Sequence, residues 1–123
     1  MKVYHGTRAD DGSTVIASDE AGERPLAPRF DLRCHSPTGF QWGYGGSGPA
    51  QLALALCADA LGDDDHARDV YQRFKFQVVA ALAGDAWTLT EDQIKSAVAD
   101  IERTQARVAG PPPDGRPGGG RSA

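Results

Sequence analysis

This sequence predicts an α+β fold: a small N-terminal β-hairpin or three-stranded sheet packed against three α-helices. Three observations carry that reading. Two β-prone runs flank an Asp-Gly step near the start, helical apolar spacing fills the second half, and a glycine-rich segment joins the two. A chain of 123 residues, 40% hydrophobic and 24% charged, suits one globular domain with one core.

The elements follow in order. Residues 2–9 and 13–18, KVYHGTRA and STVIAS, lie on either side of Asp10-Asp11-Gly12. Val3, Tyr4, Val15 and Ile16 supply their β-branched and aromatic content, so the pair reads as a hairpin. Residues 19–28 read as a loop. Over residues 29–34, Phe30, Leu32 and Cys34 alternate with Arg29, Asp31 and Arg33, which predicts a half-buried extended segment or third strand.

Residues 36–56, SPTGFQWGYGGSGPAQLALAL, are the most distinctive stretch. Five glycines, two prolines and three aromatics run straight into an apolar helix. Pro49 fits the first helical position with Gly48 or Ser47 as cap, and Leu52, Leu56 and Leu61 mark a short helix that Gly62 stops. Asp63, Asp64 and Asp65 open a second helix, placed against the positive end of its dipole. There Ala67, Val70, Tyr71, Phe74, Val78 and Leu82 recur at three- and four-residue spacing, and Gly84 ends the run. A third helix opens on a Thr90–Gln93 capping box, with Leu89 placed to staple onto Ile94, and turns Ile94, Val98, Ile101 and Val108 inward. The predicted helices span residues 49–61, 64–82 and 90–108. Residues 1–109 form the domain, and residues 110–123, PPPDGRPGGGRSA after Gly110, are too rich in Pro and Gly to pack and read as disordered.

Charge and composition narrow the function. Residues 1–102 hold 9 Lys+Arg and 16 Asp+Glu, whereas residues 103–123 hold four arginines and Asp114 alone. An acidic body repels phosphates, so direct nucleic-acid binding by the folded domain is not expected. No apolar run approaches the roughly 18 residues that span a bilayer, so no membrane partner is expected either. The start, MKVYHGTRADD, lacks the apolar core of a secretory signal, and the expected location is cytoplasmic. Two thiols in that setting, Cys34 and Cys57, are expected to stay reduced. Cys34 and His35 are adjacent in an extended run, so their side chains point apart and cannot easily share a proton.

Several motifs suggest chemistry. Gly43, Gly45 and Gly48 spell G-x-G-x-x-G before a helix, but the buried strand and βαβ unit of a dinucleotide site are missing from the pattern. A looser anion site survives: Gly45, Gly46 and Ser47 would present free N–H groups at a helix start, beside the Trp42 and Tyr44 rings and with Arg29, Arg33 and His35 near in sequence. Those eight residues are the candidate binding set. Substituting Gly45 or Gly46 by Ala should be harmful wherever φ is positive there. His5, His35 and His66 have no ligand spacing, Asp63, Asp64 and Asp65 lack the rest of an EF-hand loop, and Ser36 and Ser47 lack a nucleophile elbow. No metal, cofactor or catalytic residue is expected.

Two resemblances add to this. Tyr4-His5-Gly6-Thr7 is similar to the nicotinamide-side motif of ADP-ribosyltransferases, which implies a His on an early strand and a Glu on a late one; the later acids here lie on predicted helices. Val3-Tyr4-x-Gly6-x-Arg8, the motif GYGGSGPAQLAL, YQRFKFQVVAAL and WTLTEDQI together resemble an uncharacterised small-domain family of bacteria, phages and mobile elements. That resemblance covers about residues 1–100 and carries no established activity. It implies a mobile-element context and an accessory protein that acts by binding a protein partner, in its specific form an inhibitor of a host defence complex such as an anti-CRISPR protein. The alternative is a phosphate- or nucleotide-binding protein, or a small ADP-ribosyltransferase-like enzyme, built on the glycine-rich loop. Truncation after Ala109 should leave stability within about 0.5 kcal/mol of the full chain in urea denaturation, since such tails bury little.

Overall fold

The inward face of the sheet alternates large side chains with very small ones, and this sets the packing of the whole domain. The computed structural model describes residues 1–36 and 39–108, with side chains as far as Thr104. The tail predicted to be disordered lies outside the described residues. Strand β1 (Val3–Ala9) turns at Asp10 and Asp11 into β2 (Gly12–Asp19), which pairs with β3 (Gly22–Pro25). A late strand, β4 (Ala86–Thr90), joins the other side of β1, giving an antiparallel sheet of order β3-β2-β1-β4.

On the buried face Tyr4 faces Ala17 across β2, and Gly6 faces Trp87 across β4. Gly6 is required there: a methyl on it would overlap the Trp87 indole. The opposite face stays open, with Thr14 and Thr7 exposed and a hydrogen bond between His5 Nδ1 and Thr88 Oγ1 at 2.9 Å.

Helix α1 (Ser47–Leu61) is buried on every side from Gly48 to Ala58. A helix apolar all round must lie inside the domain. It packs against α2 (Asp64–Gln77) and α3 (Glu91–Val108), and its Asp59 reaches the sheet. Tyr4 Oη and Lys2 Nζ donate to Asp59 Oδ2 at 2.6 and 3.0 Å, and an Arg24 guanidinium nitrogen donates to Oδ1 at 3.0 Å. Burial alone would raise the Asp59 carboxyl; these donors and cations outweigh it and hold the group below its ordinary value. Burial and the same carboxylate push the Tyr4 phenol upward.

The α+β class and the three helices are as the sequence predicts, and the boundaries differ for physical reasons. Residues 19–28 are not all loop, because residues 22–25 pair with β2 as an edge strand. Residues 29–34 are not a strand. Arg29 takes φ 61° and Leu32 N–H donates to Arg29 O, so the segment turns; Phe30 and Cys34 are exposed instead of buried. Helix α1 starts at Ser47 with Gly46 as its cap, two residues before Pro49. Helix α2 stops at Gln77 and not at Leu82, passing into a short 3-10 turn at Val79–Ala81 whose first carbonyl accepts from Gly43 N–H. Strand β4 is an element the sequence reading does not contain, and Thr90 belongs to it as well as capping α3. The Thr90–Gln93 capping box forms in both directions, at 2.8 and 3.0 Å.

Of the predicted inner positions, Leu52, Leu56, Val70, Phe74, Ile94, Val98 and Ile101 are buried, while Val78 is partly buried against them. Phe74 is completely enclosed. Phe74→Ala should lower stability by about 3–5 kcal/mol in urea denaturation; an unchanged midpoint would show that α2 does not pack through this face.

Candidate functional site

The glycine-rich segment is held from both ends by polar side chains, and that fixes what it exposes. At one end Arg8, on β1, lies with its guanidinium carbon 4.8 Å from the Trp42 ring centroid. It donates to Gln41 Oε1 at 3.0 Å, to Trp42 O at 3.3 Å and to Gly84 O at 3.0 Å, and pairs with Asp85. Trp42 Nε1 also donates to Gly84 O, and its ring meets Trp87 edge-on at 5.6 Å. Gly43 then takes φ 88°, a conformation open to glycine, with a methyl there only 3.1 Å from Leu82 O.

At the other end Gln51 does the equivalent work from inside α1. Its carboxamide is wholly buried, and all its bonds go to the preceding loop. Oε1 accepts from His35 N–H and Ser36 N–H at 2.7 and 3.2 Å; Nε2 donates to Pro28 O and Arg33 O at 2.6 and 3.0 Å. One amide therefore replaces the ladder partners that residues 28–36 would have had as a strand.

The eight candidate residues separate into groups. Arg29 is bound by Asp31 and Asp64, to which its guanidinium donates at 2.8–3.1 Å, and these hydrogen bonds raise its pKa further. His35 Nε2 is hydrogen-bonded to Tyr71 Oη at 2.7 Å, and its ring pKa is lowered by burial and then by the charges of Arg33 and Lys75. Trp42 is only 1% exposed and so lines no open notch. Tyr44 is 51% exposed, and Gly45, Gly46 and Ser47 lie beside it at the surface. Positive φ falls at Gly43, not at Gly45 or Gly46; Gly46 has φ −165°, which any residue adopts.

The structure adds residues that sequence spacing did not single out. Phe76 is 64% exposed, and a methyl on Gly45 would stand 3.2 Å from its ring, so Tyr44 and Phe76 flank the diglycine. Lys75 is nearly enclosed next to Phe76. Neither stood out because charged and aromatic residues alternate through YQRFKF, and only the packing of α2 against the loop shows which face is outward. His5, the position suggested by the transferase-like motif, lies on the open sheet face, and the late strand β4 carries no Glu. Burial raises the Cys57 thiol far above its ordinary value, which keeps it protonated and unreactive. Among the described residues no cluster of His, Cys, Asp or Glu could hold a metal ion, and no helix is long and apolar enough to cross a membrane.

A family model described as a family of unknown function, DUF6166, matches residues 4–100. The chain belongs to that family. The match takes in the sheet, the glycine-rich segment and all of α1 and α2, and it ends within α3. Neither a curated protein nor a solved structure is matched by the chain.

Gln51→Ala should strand two carbonyls and two amides in residues 28–36 and cost about 2–4 kcal/mol. Hydrogen exchange should quicken at His35 and Ser36 more than at Val98; uniform acceleration would mean that Gln51 supports the core generally rather than this loop.

Proposed function

We propose that this protein is a non-enzymatic interaction module of phage or mobile-element origin. In its specific form it inhibits a host defence complex, as anti-CRISPR proteins do, by setting carboxylates against a surface that otherwise binds nucleic acid. The observation that carries this reading is the surplus of acid on the surface of the folded part. Residues 1–102 hold 16 carboxylates against 9 Lys+Arg, and Asp10, Asp11, Glu23, Asp63, Asp69 and Asp92 have no ion-pair partner among the described residues. Asp63 caps α2 and Asp69 lies in its first half, where Asp65 is also exposed; Glu102 of α3 is bound to His66 nearby at 2.7 Å. Such an array offers a basic groove the charge of a nucleic-acid backbone on a rigid scaffold.

The groups that could do chemistry support the same reading by their engagements. Arg8, Arg29, His35, Gln51 and Asp59 all hold loops or strands in place. An open cleft of about 290 Å³, lined by Val15, Pro25, Leu26, Phe30 and Phe40, gathers no titratable side chain.

Pulldown of the full chain from a bacterial lysate at physiological salt, read by mass spectrometry, should recover a nucleic-acid-binding complex. Adding the protein should then block that complex from its DNA, and Asp65→Lys with Asp69→Lys, both exposed on α2, should weaken the block at least about tenfold. Recovery of no partner above background would overturn the module, and equal inhibition by the charge-reversed protein would overturn the carboxylate mechanism.

A further inference from the structure

The two edges of the sheet differ in which backbone groups they leave open. Strand β3 ends the sheet on one side and β4 on the other. Leu26 N–H donates to Val15 O, and this sets the parity of β3. Gly22, Arg24 and Leu26 turn their backbone groups to β2, whereas Glu23 and Pro25 turn theirs outward. Pro25 has no N–H to offer, and Glu23 brings a charge. A short edge carrying a charge and a proline is blunted against further pairing.

Strand β4 has neither device. Arg8 N–H donates to Asp85 O at 2.7 Å and Glu91 N–H donates to Lys2 O at 2.9 Å, so Asp85, Trp87 and Leu89 bond to β1. Ala86 and Thr88 therefore turn both N–H and C=O away from the sheet, and both residues are exposed. The strand reads AWTLT, with no charge and no proline. No described strand lies beyond it. At its far end Gln93 Oε1 already accepts from Thr90 N–H at 2.8 Å, which leaves Ala86 and Thr88 as the residues open to a neighbour.

We propose that β4 is the pairing edge for a second copy of this chain, which continues the sheet antiparallel about a two-fold axis at Trp87. In that register Ala86 lies opposite Thr88 of the second copy, and Thr88 lies opposite its Ala86. Each pair exchanges N–H and C=O, so the open groups of one edge meet the same groups of the other. A foreign strand would bring a longer ladder than this edge can meet; a second copy brings one of equal length. Two bodies with a net charge of −4 repel at a distance, but the strip where they join is neutral, so salt strengthens the contact. Pairing along so short a strand buries well under the roughly 1,200 Å² of a stable complex, so the dimer is weak and governed by concentration. This edge is separate from the acids of α2 invoked for defence inhibition, and either proposal can fail without the other.

Sedimentation equilibrium of the full chain from about 10 µM to 1 mM should show the mass rising from monomer toward dimer, more steeply at high salt. Over the same range hydrogen exchange should slow at the Ala86 and Thr88 amides but not at Glu23. Thr88→Pro removes an outward N–H without touching a bond to β1, and should weaken the dimer at least about tenfold. Thr88→Lys keeps that N–H and charges the edge instead; it should weaken self-association as much. Mixing Thr88→Lys with Ala86→Glu should restore a dimer, because the register sets those two positions opposite each other. A chain that stays monomeric at about 1 mM would overturn the proposal, as would a dimer that survives both Thr88 variants with their folds intact. Protection of Glu23 would overturn it by placing the contact at β3, and failure of the mixed variants to associate would overturn the two-fold at Trp87.

Discussion

The Arg8 guanidinium is the constraint on which the rest of this structure depends. From strand β1 it reaches the glycine-rich segment and the link from α2 to β4 at once. Stacking on Trp42 uses its flat face, and its edge supplies donors to two carbonyls that have no strand partner. A lysine could provide the charge but not that fork of donors around a stacked plane. With Trp42 fixed, Trp87 has an edge to pack against; with Trp87 in place, Gly6 can only be glycine. The Trp87 indole N–H takes no partner among the described residues, a cost that this packing must offset.

How much of this could be read in the sequence depended on whether the cause was local. Helix starts were legible because Thr90 with Gln93, and Asp63 with His66 N–H, satisfy the backbone within three residues. The hairpin was legible for the same reason. Strand β3 was not, because all four of its residues are exposed and only pairing with β2 makes them a strand. Strand β4 carried a readable signal: Trp87 is buried while its neighbours Ala86 and Thr88 are exposed. Alternation at residues 29–34 misled, since the buried amide of Gln51 competes for the backbone groups that a strand would have used. In the sequence Gln51 is one polar residue at the head of an apolar run, with nothing near it in the chain to mark its partners.

The candidate site was half legible. The glycine-rich segment does surface at Tyr44, Gly45, Gly46 and Ser47, but Trp42 turns inward and Arg29 is committed to Asp64. What completes the surface comes from α2, whose Phe76 ring lies against Gly45 because α2 packs alongside α1. That helix is chemically divided: acids in its first turn, and in its last turns the cations Arg73 and Lys75, which have no ion-pair partner among the described residues, beside the exposed Phe76 ring. The division agrees with the helix dipole at both ends, so electrostatic polarity costs the fold nothing.

The pairing of β1 with β4 has a further consequence during synthesis. The strand at the start of the chain waits for a neighbour that lies beyond α2, so the sheet stays one strand short until about nine-tenths of the matched family region has been made. In the meantime α1, apolar on every side, already exists without α3 to cover it. From the end of α1 until α3 is made, a nascent chain therefore holds an apolar helix that has α2 beside it but lacks its α3 cover. Shortening α3 would leave part of that face without its cover in the finished domain as well.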